Sequence, residues 1–121
     1  MVCKALSDET RLRIARCLSK SDLCVCELAD ALDLPQSTLS NHLAKLRSLG
    51  IVDTRRVGTW VYYRLAPQEQ ANIVRLFETF DHLDERAARD NERLEKRLSM
   101  RINGQCARSY GQLNPLTDGN P

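Results

Sequence analysis

The sequence of 121 residues predicts a mainly α-helical domain with one small β-hairpin, and three observations carry that reading. Apolar residues recur at helical spacing through two short segments, Val25 to Leu32 and Gln36 to Ser48, joined by the turn Asp33-Leu34-Pro35. After Gly50 the pattern changes. Ile51 to Arg56 and Trp60 to Leu65 are rich in β-branched and aromatic residues and flank Val57-Gly58-Thr59, a turn containing glycine. From Pro67 onward a long amphipathic pattern returns. Two short helices on a tight turn, then a hairpin, describe a winged helix-turn-helix. The long final stripe exceeds what so small a domain can bury, which predicts a dimer.

Taken in order, Ser7 or Asp8 caps a first helix running to about Leu18, with Leu12, Ala15, Cys17 and Leu18 available for packing. Cys17 lies among these apolar residues and reads as a small buried hydrophobe rather than a ligand. Ser19 to Asp22 is a polar break. The helix from about Val25 to Leu32 follows, with two thiols one residue apart at its start, Cys24-Val25-Cys26. On the next helix Leu39, Leu43 and Leu46 share one face, and Ser37, Thr38, Asn41, Ala44 and Lys45 lie on the other. A merely solvated face would carry more Glu and Lys. Small polar side chains with a base at the end suit a recognition helix, and Gly50 stops it.

The hairpin carries Arg55, Arg56 and Arg64, which makes it a basic wing. Pro67 is expected to open a single helix to about Ile102, striped by Ile73, Leu76, Phe77, Phe80, Leu83, Ala87, Leu94 and Leu98. Its other face alternates acids and bases, and its C-terminal part is expected to pack against a second copy. Residues 1–102 thus form a DNA-binding and dimerisation domain. Residues 103–121, rich in Gly, Asn, Gln and Pro, are expected to be a flexible tail with Cys106 near its start.

Charge narrows the function classes. The net charge is only +2, but Gln36 to Arg64 holds Lys45, Arg47, Arg55, Arg56 and Arg64 against Asp53 alone. The preceding stretch holds Asp22, Glu27, Asp30 and Asp33 and no base. Such asymmetry fits a local nucleic-acid footprint. No apolar run approaches the ~20 residues that cross a bilayer, and no secretory signal is visible, so a cytoplasmic protein is expected. The 5 cysteines (Cys3, Cys17, Cys24, Cys26, Cys106) are then free thiols or metal ligands. A thiol oxidoreductase would want C-x-x-C beside a βαβ unit, and neither is present.

Thiolates are soft donors that take As(III), Sb(III), Cd(II), Pb(II) or Cu(I) in preference to Mg or Ca, and a helix N-terminus favours the thiolate. Cys24 and Cys26 lie in a segment that reads as polar and accessible. Residues i and i+2 of a regular helix point roughly 200° apart, so the pair cannot grip one ion from an intact helix. Either Cys24 lies before the helix, or ligand capture unwinds its first turn; distortion of that turn, passed to the recognition helix, is the expected signal.

Three stretches resemble the ArsR/SmtB family of metal-sensing winged-helix repressors. Asp8-Glu9-Thr10-Arg11-Leu12 is similar to its opening helix, Leu23-Cys24-Val25-Cys26-Glu27-Leu28-Ala29 to its cysteine-bearing metal box, and Val57 to Leu65 to its wing. With Ser37 to Leu46 they cover roughly residues 5–65. The resemblance implies a homodimer that binds double-stranded operator DNA and is released by metal. It implies that Ser37, Thr38, Ser40, Asn41 and His42 face the operator or support the helix that does, and that Lys45, Arg55 and Arg56 contact phosphates. His42, at the flank, either touches DNA or holds the helix.

The box most resembles that of arsenic-responsive repressors, which implies As(III) or Sb(III) as inducer, with Cd(II) or Pb(II) as the alternative. The arsenic box places a third thiol where this chain has Ala29. Cys106 on the tail is the favoured third ligand, ahead of Cys3 or a solute thiol. A zinc site of some relatives would need Asp81, His82 and Glu85 plus an earlier histidine, and Ala71 stands in its place. A redox-sensing repressor acting through a Cys24–Cys26 or Cys24–Cys106 disulfide is the remaining rival.

Overall fold

A computed structural model of the chain describes residues 6–80 and 85–102. Helix α1 spans Glu9–Leu18 and begins at Asp8, whose Oδ1 accepts from the Thr10 and Arg11 amides at 2.8 and 3.1 Å. The Arg11 amide, helped by His42 and the Thr10 amide, holds the Asp8 carboxyl below the ordinary carboxylate range. One face of α1 buries Ile14, Ala15, Cys17 and Leu18.

Strand β1 is the two-residue Leu23–Cys24, and α2 follows as Val25–Leu32. Asp33 ends α2 in the left-handed region at φ 55°, a conformation Asp tolerates better than most residues. Helix α3 spans Gln36–Ser48 and drives Leu39, Leu43 and Leu46 fully into the core. Gly50, at φ 76°, turns the chain out of α3 as only glycine does cheaply. Strands β2 (Val52–Val57) and β3 (Trp60–Leu65) form the hairpin about Gly58, with Arg55 opposite Tyr62 and Val57 opposite Trp60. Helix α4 is Pro67–Phe80 and helix α5 is Glu85–Leu98.

The helix-turn-helix and the wing therefore stand where the sequence places them. Three features differ. The hairpin is part of a three-stranded sheet ordered β1-β3-β2, because Leu23 pairs with Tyr63 and Cys24 with Tyr62. A two-residue strand leaves almost no periodic signal to read. Over the range expected to be a single helix from Pro67 to Ile102, the described residues form the helices Pro67–Phe80 and Glu85–Leu98, the second ending short of Ile102. Residues 81–84, which include Leu83 of the expected stripe and two groups of the zinc-type set, lie outside the described residues.

The third feature concerns where α5 goes. Its stripe, expected to pack against a second copy, finds partners within the chain, along α1 and α2. Leu94 joins the main core with Ile14, Leu28 and Leu32, while Ala87, Asp90 and Arg97 are also buried. Charge explains the packing. Arg13 of α1 donates to Asp90 from Nε and Nη2, both at 2.9 Å, and to the Leu32 carbonyl at 2.8 Å. Arg93 donates to the Ala31 carbonyl at 2.8 Å, so the two arginines satisfy carbonyls left over at the end of α2. The hydrogen bonds that Arg13 donates to Asp90 hold its guanidinium above the ordinary range. Arg86 pairs with Glu9 at the other end of α1.

Candidate functional site

Cys24 is the N-cap of α2 in extended conformation, φ −84° and ψ 166°, and Cys26 is the second residue inside the helix. The extended cap swings the first side chain round, and the two Sγ atoms stand 3.0 Å apart. Of the two alternatives left by the helical geometry, Cys24 lies before the helix. No unwinding is needed to bring the sulfurs together, and the expected distortion of the first turn loses its geometric motive.

The pair is also not accessible. Cys24 is 3% and Cys26 7% exposed, packed with Tyr62, which is 2% exposed. The segment reads as polar because of Glu27 and Asp30, but both acids are buried and paired. Glu27 Oε1 accepts the Cys24 amide at 3.1 Å. Its carboxylate is gripped by Arg101 through Nε at 2.7 Å and Nη2 at 2.8 Å. Arg97, wholly buried, donates to Asp30 Oδ2 at 2.7 Å and approaches Cys26 Sγ at 3.6 Å. Hydrogen bonding to Glu27 raises the Arg101 guanidinium above its ordinary range, and Arg101 also lies 5.5 Å over the Tyr62 ring.

Sequence reasoning missed these arginines. Arg93, Arg97 and Arg101 recur every fourth residue and so fall on one face. Two acids, Glu27 and Asp30, interrupt an otherwise apolar helix. Buried acids require partners, and a row of arginines elsewhere in the chain was the available signal.

A soft ion would find two thiols here already in register. Among the described residues no group of three or more His, Cys, Asp or Glu is arranged to hold a metal ion. Cys3 and Cys106, the thiols considered for a third position, lie outside the described residues. Cys17 is elsewhere, buried against α1's own core, and desolvation pushes its thiol up to about 12, as expected of an inert packing residue.

The nucleic-acid face is built by α3 and the wing. Ser37, Ser40, Asn41, Ala44 and Lys45 are exposed and Thr38 half-buried, opposite the buried leucines. His42 is half-buried with Nδ1 3.8 Å from Asp8 Oδ1, so it ties α3 to the start of α1. Arg56 is exposed on the wing. Arg55 is exposed too, but lies 3.3 Å from Asp22 and 5.4 Å over Tyr62. It therefore links the wing to the thiol-bearing segment. Among the described residues no helix is long and apolar enough to cross a membrane.

Such a layout, a helix-turn-helix with a basic wing and thiols capping the helix ahead of the reading head, defines a winged helix-turn-helix regulator rather than an enzyme. Residues 8–54 match the family described as bacterial regulatory protein, arsR family. The chain resembles the arsenic resistance transcriptional regulator ArsR1 of Pseudomonas putida, 51% identical over 69 residues, 56% of this chain and 54% of that protein. It is 43% identical to a cadmium resistance transcriptional regulatory protein CadC homologue of Staphylococcus aureus over 74 residues, 60% of this chain and 61% of that protein. The homodimeric winged helix-turn-helix DNA-binding domain Mb0332 of Mycobacterium bovis superposes with a TM-score of 0.59 at 34% identity, covering 67% of this chain and 75% of that one. The chain belongs to the ArsR/SmtB family. Its match spans little more than half of the arsenic regulator.

Proposed function

We propose that the chain is a metalloid-responsive transcriptional repressor that binds operator DNA as a homodimer and is released when As(III) or Sb(III) is taken up by Cys24 and Cys26. The observation that carries this reading is the 3.0 Å separation of the two sulfurs at the cap of the helix preceding the recognition helix. Ser37, Thr38, Ser40 and Asn41 would read or approach the bases, with Lys45, Arg55 and Arg56 on phosphates and His42 in a supporting role. Cys106 remains the favoured source of a third thiol.

The sulfur spacing also bears on which ion. A tetrahedral thiolate ion with bonds of ~2.3 Å holds its sulfurs ~3.8 Å apart. A pyramidal ion with angles nearer a right angle needs less opening from 3.0 Å, which favours As(III) or Sb(III). The alternative, Cd(II) or Pb(II), draws on the likeness to the cadmium regulator. A coupling of ~1–3 kcal/mol between ligand and DNA would change operator affinity ~5–150-fold. Operator half-sites about one turn apart, ~34 Å, make a dimer sensitive to small displacements of its two heads.

The test is fluorescence anisotropy, at fixed salt, of a duplex selected from a random library by the ligand-free protein. Arsenite or antimonite should release the DNA at lower concentration than Cd(II) or Pb(II). A Cys24→Ser, Cys26→Ser double variant should bind the duplex and ignore arsenite. Release of the double variant by arsenite overturns the reading. Release by diamide as readily as by arsenite would favour a disulfide switch instead.

A further inference from the structure

The sulfurs proposed to receive the ligand are buried, packed against Tyr62, Val57 and Trp60 of the hairpin, and one end of α5 closes over the same segment. Arg97, at the last turn, reaches Asp30 at 2.7 Å and Cys26 Sγ at 3.6 Å. Arg101, in the turn that continues the helix, grips Glu27 with two hydrogen bonds at 2.7 and 2.8 Å and the Asp22 carbonyl at 2.6 Å. It also lies over Tyr62, which packs on both cysteines. The three acceptors Asp22, Glu27 and Asp30 bracket the thiol pair in sequence. The two arginines therefore close over the same few residues that carry the sulfurs.

We propose that Arg97 and Arg101 form a charge-latched cover over Cys24 and Cys26, so that a thiophilic ligand reaches the sulfurs only as the last turn of α5 lifts from α2. The inference rests on the thiol pair being the ligand site, and it makes ligand capture and movement of α5 one event. The contact of Arg97 with Cys26 ties the two directly, because a ligand approaching that sulfur meets the guanidinium that already lies against it. The part of α5 ahead of its last turn is held separately, by Asp90 on Arg13 and by Leu94 in the core, so the last turn can lift while the rest stays docked.

Rates of N-ethylmaleimide labelling on the full chain, resolved by peptide mass mapping, test the cover without any metal. Buried thiols react in proportion to the open population. Arg101→Gln should label Cys24 and Cys26 roughly ten-fold or more faster, the consequence of losing charge-assisted hydrogen bonds, with Arg101→Lys intermediate. Cys17 lies beside Ala87, Asp90 and Leu94, ahead of α5's last turn, and its rate should not change. Should Arg97→Gln fail to fold because Asp30 is stranded, the paired Glu27→Gln, Arg101→Gln variant removes both charges of one latch and should still accelerate labelling. Wild-type rates at Cys24 and Cys26 in the folded Arg101→Gln and paired variants would overturn the cover, as would acceleration of Cys17 in step with them. Sodium arsenite supplies the second arm. If it fails to protect Cys24 and Cys26 of the wild type from labelling, the ligand reading falls, while the labelling rates still decide the cover.

Discussion

Replacing Asp90 with Ala should cost about 3 kcal/mol of folding stability, and the reasoning starts from burial. The Asp90 side chain is 2% exposed and holds Arg13, itself 12% exposed, through two hydrogen bonds of 2.9 Å. Removing one member of a buried pair typically costs ~3–5 kcal/mol, because the remaining charge is left desolvated. The third bond, from Arg93 at 2.7 Å, adds less, since that guanidinium is about a third exposed and water replaces its partner. Arg13 keeps the Leu32 carbonyl, which places the total near the lower bound. Against a whole-domain stability of ~5–15 kcal/mol this is a large loss. Urea denaturation followed by circular dichroism, with m compared between variants, measures it. In an Arg13→Ala, Asp90→Ala cycle the coupling should exceed ~1 kcal/mol, because the groups touch. A loss below ~1 kcal/mol, or additive single effects, would refute the docking of α5 on its own α1.

Four further outcomes follow from the same structure. Leu43→Ala, at a fully buried position between recognition helix and core, should destabilise by ~3–5 kcal/mol in the same denaturation assay and weaken DNA binding only through folding. Cys17 is raised from 9.0 to about 12, so the folded state keeps its proton while the unfolded state loses it. Its contribution is fully present below pH 9 and lost as pH climbs toward 12, about 1 to 2 kcal/mol by pH 10; the wild type should lose that much more than Cys17→Ala between pH 8 and 10. Arg56→Ala should reduce the slope of log binding constant against log salt by ~1, with little effect on sequence preference, if the wing meets phosphate. Asn41→Ala, on the exposed face of α3, should instead relax preference at one base position by ~1–3 kcal/mol in competition binding.

The sequence by itself determined the elements whose signals are local. Leu39, Leu43 and Leu46 repeat at helical spacing, so α3 and its exposed polar face were legible. Gly58 between two β-rich runs announced the wing, and the pair Ser7 or Asp8 the start of α1, where the structure uses Asp8. Cys17 among apolar residues was readable as packing.

Tertiary structure alone decided how the thiol site is assembled. Cys24 lies ahead of α2 because strand pairing with Tyr62 holds its backbone extended, and that partner is 38 positions away in the numbering. Glu27 and Asp30 made the segment look wet, yet arginines some seventy residues downstream neutralise and bury it. Periodicity reports which face of a helix is apolar but not which surface it meets, so α5 could be assigned a stripe without an address. Long-range charge pairs are set by where the chain returns, and the return of α5 over α2, with Tyr62 of the hairpin, shields the sulfurs and couples them to the rest of the fold.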